Sequence, residues 1–291
     1  MQRKDLRRYN IMDLSGKVVV ITGAGGTLCS VAAREMARQG AKVVLVGRTP
    51  EKLEKTASEI TEIGGVCRIE PCDATDSEGI SSLAEKVLSS WGPCNILING
   101  AGGNNVHAMT SVTSFDPREI TDGKPADMVG FFNIDADMFE SVLKINTLGT
   151  VIPSKIFGKH MAAAGGGSII NFASMNSYCP LTKVPAYAMS KAAIVNFTQW
   201  LSAYLAPANI RVNAIAPGFF INERSKAYLG TPETGLTPRG EGVMAHTPMK
   251  KFGNPEQLLG ALNWLIDDEA AAFVTGITVP VDGGFLALSG V

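Results

Sequence analysis

One helical turn separates Tyr187 from Lys191, a phenol and an ammonium that together could move a proton. On a helix, residues at this spacing share a face, and their Cβ atoms lie about 5–6 Å apart. A neighbouring ammonium favours the phenolate and can lower the pKa of a tyrosine from about 10 towards the working range of a general acid/base. The same spacing also occurs by chance on exposed helices, with a half-buried tyrosine and a solvated lysine. Other residues must converge on this pair before it indicates catalysis.

Apolar runs of strand length alternate with amphipathic helical patterns along the chain. The strand-like runs cover residues 17–23, 41–47, 67–73, 94–100, 168–174, 210–217 and 276–284. Helical patterns occupy residues 28–39, 50–60 and 81–91. Near-continuous Val/Ile/Leu strands separated by helices are typical of a parallel sheet covered on both faces. Because no linker interrupts the pattern, it predicts an α/β fold with a single doubly wound domain over residues 1–291.

Two segments break this alternation. Residues 103–140 and 218–253 are rich in Asn, Asp, Gly or Pro and show little periodicity. Loops of this length in a compact domain are usually lids or binding loops, or else disordered. Both segments follow strand ends at which open α/β sheets bind ligands. We therefore expect an inserted loop at 103–140 and a substrate lid at 218–253.

Composition argues against several other classes of protein. Lys plus Arg (26) nearly balances Asp plus Glu (27), which does not favour nucleic acid or an anionic membrane as a partner. No apolar run approaches the roughly 20 residues of a membrane-spanning helix. The 5 cysteines are scattered and the 3 histidines lack metal-ligand spacing, so we expect no metal site and reduced thiols in a cytoplasmic protein. Residues 1–13 are basic without an apolar run behind them, which predicts a flexible N-terminal extension rather than a secretory signal.

A glycine-rich turn follows the first strand-like run. Gly23, Gly25 and Gly26 precede Thr27 and Leu28 at the start of a helical pattern. Such a turn lets backbone N–H groups and the helix N-terminus approach a pyrophosphate. The G-x-G-x-x-G fingerprint is incomplete because Leu28 replaces its last glycine, so an ordinary βα turn is the alternative. Its place after the first strand of an α/β domain favours a dinucleotide site.

Arg48 stands at the end of the second strand-like run, where an NAD site would offer an acid to the ribose 2′-hydroxyl. The nearest acid is Glu51, beyond the strand end. A guanidinium suits a 2′-phosphate in both charge and fork geometry. NADP(H) is therefore favoured over NAD(H), although Arg48 could also be a solvated loop charge.

Two further residues complete a recognisable set. Ser174 ends a strand-like run upstream of Tyr187, and Asn146 lies within the sequence Lys-Ile-Asn-Thr-Leu-Gly. With the glycine-rich turn, they resemble the short-chain dehydrogenase/reductase family, whose active site combines Asn, Ser, Tyr and Lys. The resemblance extends over residues 16–285, including an Asn-Gly-Ala-Gly motif at 99–102 and Val-Asp-Gly-Gly at 281–284. It implies a Rossmann-like fold and a homotetramer or homodimer.

The resemblance also implies roles for individual residues. Tyr187 would exchange a proton with the substrate oxygen, Lys191 would lower the tyrosine pKa and bind the nicotinamide ribose, and Ser174 would hold the carbonyl oxygen. Asn146 would anchor a water that relays protons to Lys191. The implied cofactor contacts are Gly23, Gly25, Gly26, Thr27, Leu28, Arg48, Asp73, Ala74, Asn99, Ala101, Gly102, Tyr187, Lys191, Pro217, Gly218 and Phe220. The turn departs from the family pattern at Thr27 and Cys29, which occupy its second and third glycine positions.

The turn sequence Thr-Gly-Ala-Gly-Gly-Thr-Leu-Cys, the tract at 103–105 and the run at 237–253 resemble one branch of that family, the D-mannonate oxidoreductases or fructuronate reductases. This resemblance implies interconversion of a keto and a hydroxy group on a sugar acid such as D-fructuronate or D-mannonate. The candidate substrate contacts are Asn104, Asn105, Met175, Asn176, Phe219, Arg239 and His246. Another sugar-acid reductase, a 3-oxoacyl reductase of the same family and a non-catalytic NADP(H)-binding regulator are the alternatives.

Overall fold

Seven parallel strands form the central sheet of the computed structural model, which describes residues 12–231 and 234–288. The strand order is β3-β2-β1-β4-β5-β6-β9, and β7 and β8 form a separate hairpin. The strands are β1 (Val18–Thr22), β2 (Lys42–Gly47), β3 (Val66–Pro71), β4 (Ile96–Asn99), β5 (Gly167–Phe172), β6 (Ile210–Pro217), β7 (Gly230–Thr231), β8 (Gly235–Leu236) and β9 (Thr278–Val281). The reversal of strand order between β1 and β4 creates the crevice in which such sheets bind ligands.

The central strands are apolar along their whole length because both faces of the sheet are covered. All five residues of β1 are buried, and its Val20 lies opposite Val44 of β2 and Leu97 of β4. Alternate residues of these strands contribute to two separate hydrophobic clusters, one on each face. This burial explains why the strands are continuous Val/Ile/Leu runs rather than alternating patterns.

Eight α-helices lie among the described residues. They are α1 (Thr27–Arg38), α2 (Pro50–Glu62), α3 (Ser77–Trp91), α4 (Ala136–Ala163), α5 (Pro185–Leu205), α6 (Glu223–Leu229), α7 (Pro238–His246) and α8 (Leu259–Ile266). Helices α1, α2 and α8 pack on one face through residues such as Met36, Leu53 and Leu262. Helices α3, α4 and α5 cover the other face through Leu83, Phe157 and Leu201. The predicted doubly wound α/β architecture is confirmed.

The first irregular segment is shorter than predicted. Helix α4 begins at Ala136 because the carboxylate of Asp135 accepts hydrogen bonds from the N–H groups of Asp137 and Met138. Within the remaining loop the chain forms three short 3₁₀ turns. We call residues 103–135 the insertion; the predicted loop boundary at 140 is wrong by one helical turn.

The second irregular segment is folded rather than loose. Residues 218–253, which we call the lid, contain α6, the β7–β8 hairpin and α7. Thr237 joins the two helices, since its N–H donates to the carbonyl of Leu229 at 3.0 Å and its hydroxyl donates to that of Tyr228 at 2.6 Å. Gly240 packs so closely that an added Cβ would lie 1.9 Å from the carbonyl oxygen of Leu229. These contacts make the lid one packed unit.

The predicted N-terminal extension lies mostly outside the described residues. Of that extension the structure describes Met12 and Asp13, and the Asp13 carboxylate accepts a hydrogen bond from the N–H of Ser15. Leu14 is already buried in the core. In the part of the chain that is described, every helix is too short or too polar to cross a bilayer.

Candidate active site

Four polar residues predicted from the sequence meet at the carboxyl edge of the sheet. Ser174 follows β5, Tyr187 lies in the first turn of α5 with Lys191 one turn later, and Asn146 lies within α4. An added Cβ on Gly102 would lie 2.5 Å from Oδ1 of Asn146 and 3.6 Å from Nζ of Lys191, so both side chains flank the end of β4. We call Asn146, Ser174, Tyr187 and Lys191 the polar cluster.

Lys191 is held by the sheet itself. Its Nζ donates a hydrogen bond of 2.7 Å to the carbonyl of Phe172, the last residue of β5, and lies 5.7 Å from the centre of the Tyr187 ring. The side chain is buried, and this burial lowers the pKa of the ammonium to about 8. The lysine is therefore poised to change charge close to neutral pH.

Tyr187 is half-buried, and its pKa reflects two opposing influences. Burial raises the pKa of the phenol, whereas a hydrogen bond with the side chain of Ser174 acts in the opposite direction. The net pKa is raised, so the expectation that Lys191 lowers it does not describe this structure. The physical reason is that desolvation of the phenol outweighs its hydrogen bond with Ser174.

Asn146 ties the start of the insertion to α4. Its amide nitrogen donates to the carbonyls of Gly103 at 2.7 Å and Val142 at 2.8 Å, and its Oδ1 accepts from the N–H of Gly103 at 3.1 Å. The residue is fully buried, so these bonds are shielded from competing water. Both amide hydrogens are used, which leaves a lone pair of Oδ1 for any further partner.

The glycine-rich turn forms the floor of a cleft of about 190 Å³ beside the polar cluster. Gly23 has φ +69°, and an added Cβ would lie 2.6 Å from the carbonyl oxygen of Gly100. Gly25 is equally restricted, since its Cβ would meet Cβ of Lys52 at 2.6 Å. Gly26 begins α1 without any side-chain cap, which leaves first-turn N–H groups of that helix available to an anion. We call this space the nucleotide cleft.

Seven of the predicted cofactor contacts line the nucleotide cleft: Gly23, Gly25, Gly26, Arg48, Ala74, Ala101 and Gly102. Thr27 and Leu28 begin α1 directly behind them, and Leu28 packs against the core. Glycines in a cradle that a Cβ would fill, together with a free helix N-terminus, fit the pyrophosphate of a dinucleotide. The residues present therefore fit the cofactor that the sequence indicates.

Charged side chains gather where β2 and α2 border the cleft. Arg48 lies 3.8 Å from the carboxylate of Asp73, and Lys52 of α2 lines the same space. Partial burial opposes ionisation of Asp73, but hydrogen bonds from Thr75 and the charge of Arg48 outweigh it and lower the pKa of this carboxyl. Sequence reasoning missed Lys52 and also Cys72, because only the packing of α2 and β3 around the turn brings them there.

Other predicted cofactor contacts use their side chains elsewhere. The amide of Asn99 donates to Ser154 and Asn171, each at 2.9 Å, in a buried polar network beneath the cleft. Phe220 is buried in the core against Gly253, whose Cβ would lie 2.8 Å from its ring. Pro217 and Gly218 lie at the end of β6, where the N–H of Gly218 donates to the carbonyl of Val281 in β9. The side chains of Asn99 and Phe220 therefore support the site rather than face a ligand.

A second cavity, of about 280 Å³, lies between the insertion and the lid; we call it the lid pocket. Its apolar wall consists of Val106, Met109, Val184, Phe219 and Leu229. Its polar lining consists of Asn104, Ser225, Tyr228 and Arg239. Of the predicted substrate contacts, Asn104, Phe219 and Arg239 thus meet in one space. Ser225 and Tyr228 were not predicted, since the folding of α6 determines their position.

The other predicted substrate contacts do not line the lid pocket. Asn105 caps a 3₁₀ turn by accepting from the N–H of His107, and Met175 is buried. Asn176 donates to Ser174 at 3.4 Å and accepts from the N–H of Leu181, which makes it a support for Ser174. His246 ends α7, with Nδ1 2.8 Å from the carbonyl of Gly242. Among the described residues, no group of His, Cys, Asp and Glu is arranged to hold a metal ion.

Comparison with known proteins agrees with this geometry. The family model described as short chain dehydrogenase matches residues 17–228. The uncharacterized oxidoreductase UxuB of Bacillus subtilis is 45% identical over 96% of this chain and 98% of its own length. The crystal structure of a proposed D-mannonate oxidoreductase of Haemophilus influenzae, with bound NAD, is 42% identical, covers 96% of this chain and 98% of its own, and superposes with a TM-score of 0.90.

A third relative shows how widely substrates vary at lower identity. The 7alpha-hydroxysteroid dehydrogenase of Clostridium sardiniense is 31% identical over 94% of both chains. The conserved architecture of these proteins is therefore compatible with unrelated substrates. By the match to the family model and to these full-length relatives, the chain is an oxidoreductase that belongs to the short-chain dehydrogenase/reductase family.

Proposed function

We propose that the protein is an NAD(P)-dependent oxidoreductase that interconverts a keto and a hydroxy group on a sugar acid, with D-fructuronate and D-mannonate as the pair. The observation that supports this substrate is the 42% identity, over nearly the full length of both chains, to the proposed D-mannonate oxidoreductase with bound NAD. The small lid pocket agrees with it, because its 280 Å³ lies just below the usual range of about 300–1,000 Å³ for ligand sites and suits a sugar acid better than a steroid.

The polar cluster provides the groups that such a reaction needs. When bound, the nicotinamide supplies or accepts the hydride. Tyr187, whose pKa burial raises, is protonated at neutral pH and can donate its proton to the substrate oxygen when a ketone is reduced. Ser174 hydrogen-bonds that same phenol and can hold the substrate oxygen beside it. General acid/base assistance of this kind is worth about 10²- to 10⁴-fold in rate.

Lys191 and Asn146 assist the proton transfer without contacting the substrate. The Lys191 ammonium, 5.7 Å from the centre of the phenol ring, favours the phenolate that remains after the proton has left. Its hydrogen bond to Phe172 fixes it there, and a lone pair of the Asn146 Oδ1 can accept from a water beside it. In this proposal Tyr187 and Ser174 contact the substrate, whereas Lys191 and Asn146 act on Tyr187 and on the proton path.

NADP(H) is the proposed preferred cofactor over NAD(H). Arg48 and Lys52 supply two cations at the adenosine end of the nucleotide cleft, and the strand end of β2 carries no acid for a ribose 2′-hydroxyl. The NAD bound to the Haemophilus relative is an argument for the opposite cofactor preference.

Arg48→Asp should lower the ratio of kcat/KM with NADPH to that with NADH by roughly 10- to 100-fold, since a charge-assisted hydrogen bond is lost. Lys55→Asp is the control: it makes the same change of charge on α2, but Lys55 does not line the cleft, so the ratio should stay unchanged. If the ratio is also unchanged in Arg48→Asp, Arg48 does not select the 2′-phosphate.

The most direct test of the proposed reaction is a spectrophotometric screen with NADPH and NADH. Purified protein is offered D-fructuronate, other hexuronates and a 3-oxoacyl thioester, and the Tyr187→Phe protein is assayed in parallel to detect contaminating enzymes. Turnover of D-fructuronate that the Tyr187→Phe protein lacks would support the proposal. Turnover of the thioester without the uronate would contradict it, and tight NADPH binding without any turnover would favour a regulator.

We also propose a homotetramer or homodimer. Trp200 and Tyr204 on α5 are 58% and 67% exposed, and their rings stack at 5.1 Å on the outer surface of the helix. Exposed aromatic clusters of this kind are typical of subunit interfaces. Light scattering of the purified protein should give a mass of two or four chains, and a mass of one chain would contradict the proposal.

A further inference from the structure

Among the described residues that line the lid pocket, Arg239 is the one that carries a charge. No ion pair joins it to an acid whose side chain the structure describes, which excludes the side chains of residues 223 and 224. Other arginines of the chain, such as Arg38, Arg68 and Arg118, each bind a carboxylate of the protein. Arg239 thus presents a fork of N–H donors, shaped for a carboxylate, to a cavity whose described lining contains no protein carboxylate.

The fold fixes the helix that carries this arginine. Thr237 caps α7 by accepting from the N–H of Gly240, and Pro238 occupies the first turn before Arg239. The same threonine binds the carbonyls of Tyr228 and Leu229, so the start of α7 is held against α6. The N-terminal turn of a helix also favours an anion through its dipole, although Glu241 in the same turn is exposed and opposes part of this effect.

The part of the lid pocket that the insertion lines is connected to the polar cluster. Asn104 follows Gly103, which exchanges two hydrogen bonds with Asn146. The Oδ1 of Asn104 is buried without a hydrogen-bond partner among the described residues, a costly state that a ligand hydroxyl would relieve. Val184, also in this wall, immediately precedes the helix whose first turn carries Tyr187. The pocket therefore has a cationic end at the lid and a hydrogen-bonding end beside the polar cluster.

We propose that Arg239 binds the carboxylate of the sugar-acid substrate and thereby selects acids over neutral ketoses of the same carbon number. This inference rests on the proposed function and names the residue that determines its substrate class. The carboxylate binds at the lid, a hydroxyl of the sugar chain donates to Asn104, and the keto group reaches Tyr187 and Ser174. Arg239 is a specificity residue in this arrangement, because it touches the end of the substrate that does not react.

The test compares Arg239→Met and Arg239→Lys with the wild-type protein on D-fructuronate and on the neutral ketose D-fructose. Arg239→Met should raise KM for D-fructuronate by roughly 10- to 100-fold, the loss expected for a hydrogen-bonded charge, with a smaller change in kcat. KM for D-fructose and the affinity for NADPH should not change. Arg239→Lys should recover part of the affinity for the uronate, because it restores the charge without the fork.

Arg118→Met is the matched control, since this arginine of the insertion binds Asp116 and does not line the lid pocket. It should leave both KM values unchanged. An Arg239→Met protein with unchanged KM for D-fructuronate, or with equal losses on both ketoses, would overturn the role of Arg239 while the proposed function stands. A wild-type protein that reduces no uronate would instead overturn the proposed function, and this inference with it.

Discussion

The polar cluster and the lid pocket lie next to each other but are built in different ways. The polar cluster is attached to the sheet: Lys191 binds the last carbonyl of β5, Ser174 follows the same strand, and Asn146 is fully buried. The lid pocket lies between α6, α7 and the insertion, none of which belongs to the central sheet. One region is fixed by the core of the fold, and the other by contacts among connecting segments.

In the proposed function, the polar cluster determines the type of reaction and the lid pocket determines the substrate. Residues attached to the sheet edge keep their positions as long as the core is intact, so the reaction proposed for them depends on the fold. Segments outside the sheet can change in length and sequence with little effect on the core. The full-length similarity to both a hydroxysteroid dehydrogenase and a proposed D-mannonate oxidoreductase agrees with this division.

The largest effect is expected in the polar cluster. Tyr187→Phe removes the proposed proton donor, and it should lower kcat by about 10²- to 10⁴-fold on every substrate that the protein accepts. Tyr204→Phe makes the same change on the same helix, outside the polar cluster, and should leave kcat unaltered. Steady-state assays decide the outcome, with thermal unfolding to confirm the fold. A loss confined to one substrate would contradict the assignment of Tyr187 to the reaction itself.

The glycine-rich turn should tolerate even a methyl group poorly. Gly23→Ala combines a positive φ with a Cβ 2.6 Å from the carbonyl oxygen of Gly100, and it should lower the free energy of unfolding by about 2–5 kcal/mol. Gly64→Ala has a similar φ of +73° but no atom within 4 Å of the added Cβ, so it should cost about 1 kcal/mol. Urea unfolding measures both values. Equal losses would show that close packing of the turn against β4 contributes nothing.

A methyl group added in the lid should weaken binding of the substrate but not of the cofactor. Gly240→Ala places a Cβ 1.9 Å from the carbonyl oxygen of Leu229 and should separate α7 from α6, which moves Arg239. We expect KM for the sugar acid to rise roughly 10-fold, about the effect of a hydrogen bond to a charged group, with the affinity for NADPH unchanged. Gly242→Ala on the same helix meets no atom within 4 Å and serves as the control. A parallel loss of NADPH affinity would break the division between the two regions.

The smallest effect concerns the pH dependence of stability. The pKa of Lys191 is about 8 in the folded protein and 10.5 without burial, so between these values the unfolded chain binds the additional proton. Stability should therefore rise with pH in this range. From pH 7 to pH 9, the free energy of unfolding of the wild type relative to Lys191→Met should increase by roughly 1 kcal/mol.

The difference between the two proteins is the relevant quantity in this experiment. Burial raises the pKa of the Cys94 thiol to about 12, which has the opposite effect on stability at high pH but is common to both proteins. Lys159→Met, an exposed lysine of α4, should keep the wild-type pH dependence. If Lys191→Met and wild type show the same slope, the ammonium is not desolvated as the structure indicates.

Local pattern was sufficient for most of the fold. The strand-like run at 210–217 coincides with β6 (Ile210–Pro217), and the bounds of the other central strands agree with the predicted runs to within a few residues. Continuous apolar runs arise only where both faces of a strand are buried, which makes them a reliable indication of a parallel sheet. The lid was harder, since α6 and α7 are short and are stabilised by Thr237 and Gly240 rather than by an amphipathic pattern.

Within the site, the sequence predicted the convergence of the polar cluster better than it predicted which residues line the two cavities. Asn146, Ser174, Tyr187 and Lys191 converge as the sequence indicated, because each stands at a strand end or in a long helix beside it. Lys52 and Cys72 were missed because no local pattern distinguishes a helix residue that borders a cleft from one that faces solvent. Phe220 was predicted to contact the cofactor, but its ring packs into the core. The absence of a side chain at Gly253 provides the space for this ring.

The sequence by itself determined the class of fold, the family and the four residues of the polar cluster. These properties depend on periodicity and on short motifs, which act over a few residues of chain. The tertiary structure alone decided the direction in which the pKa values of the cluster shift, since burial raises the pKa of Tyr187 and lowers that of Lys191. It also decided which polar residues share the lid pocket, because Asn104 and Arg239 are far apart in the chain and meet only when the lid packs against the insertion.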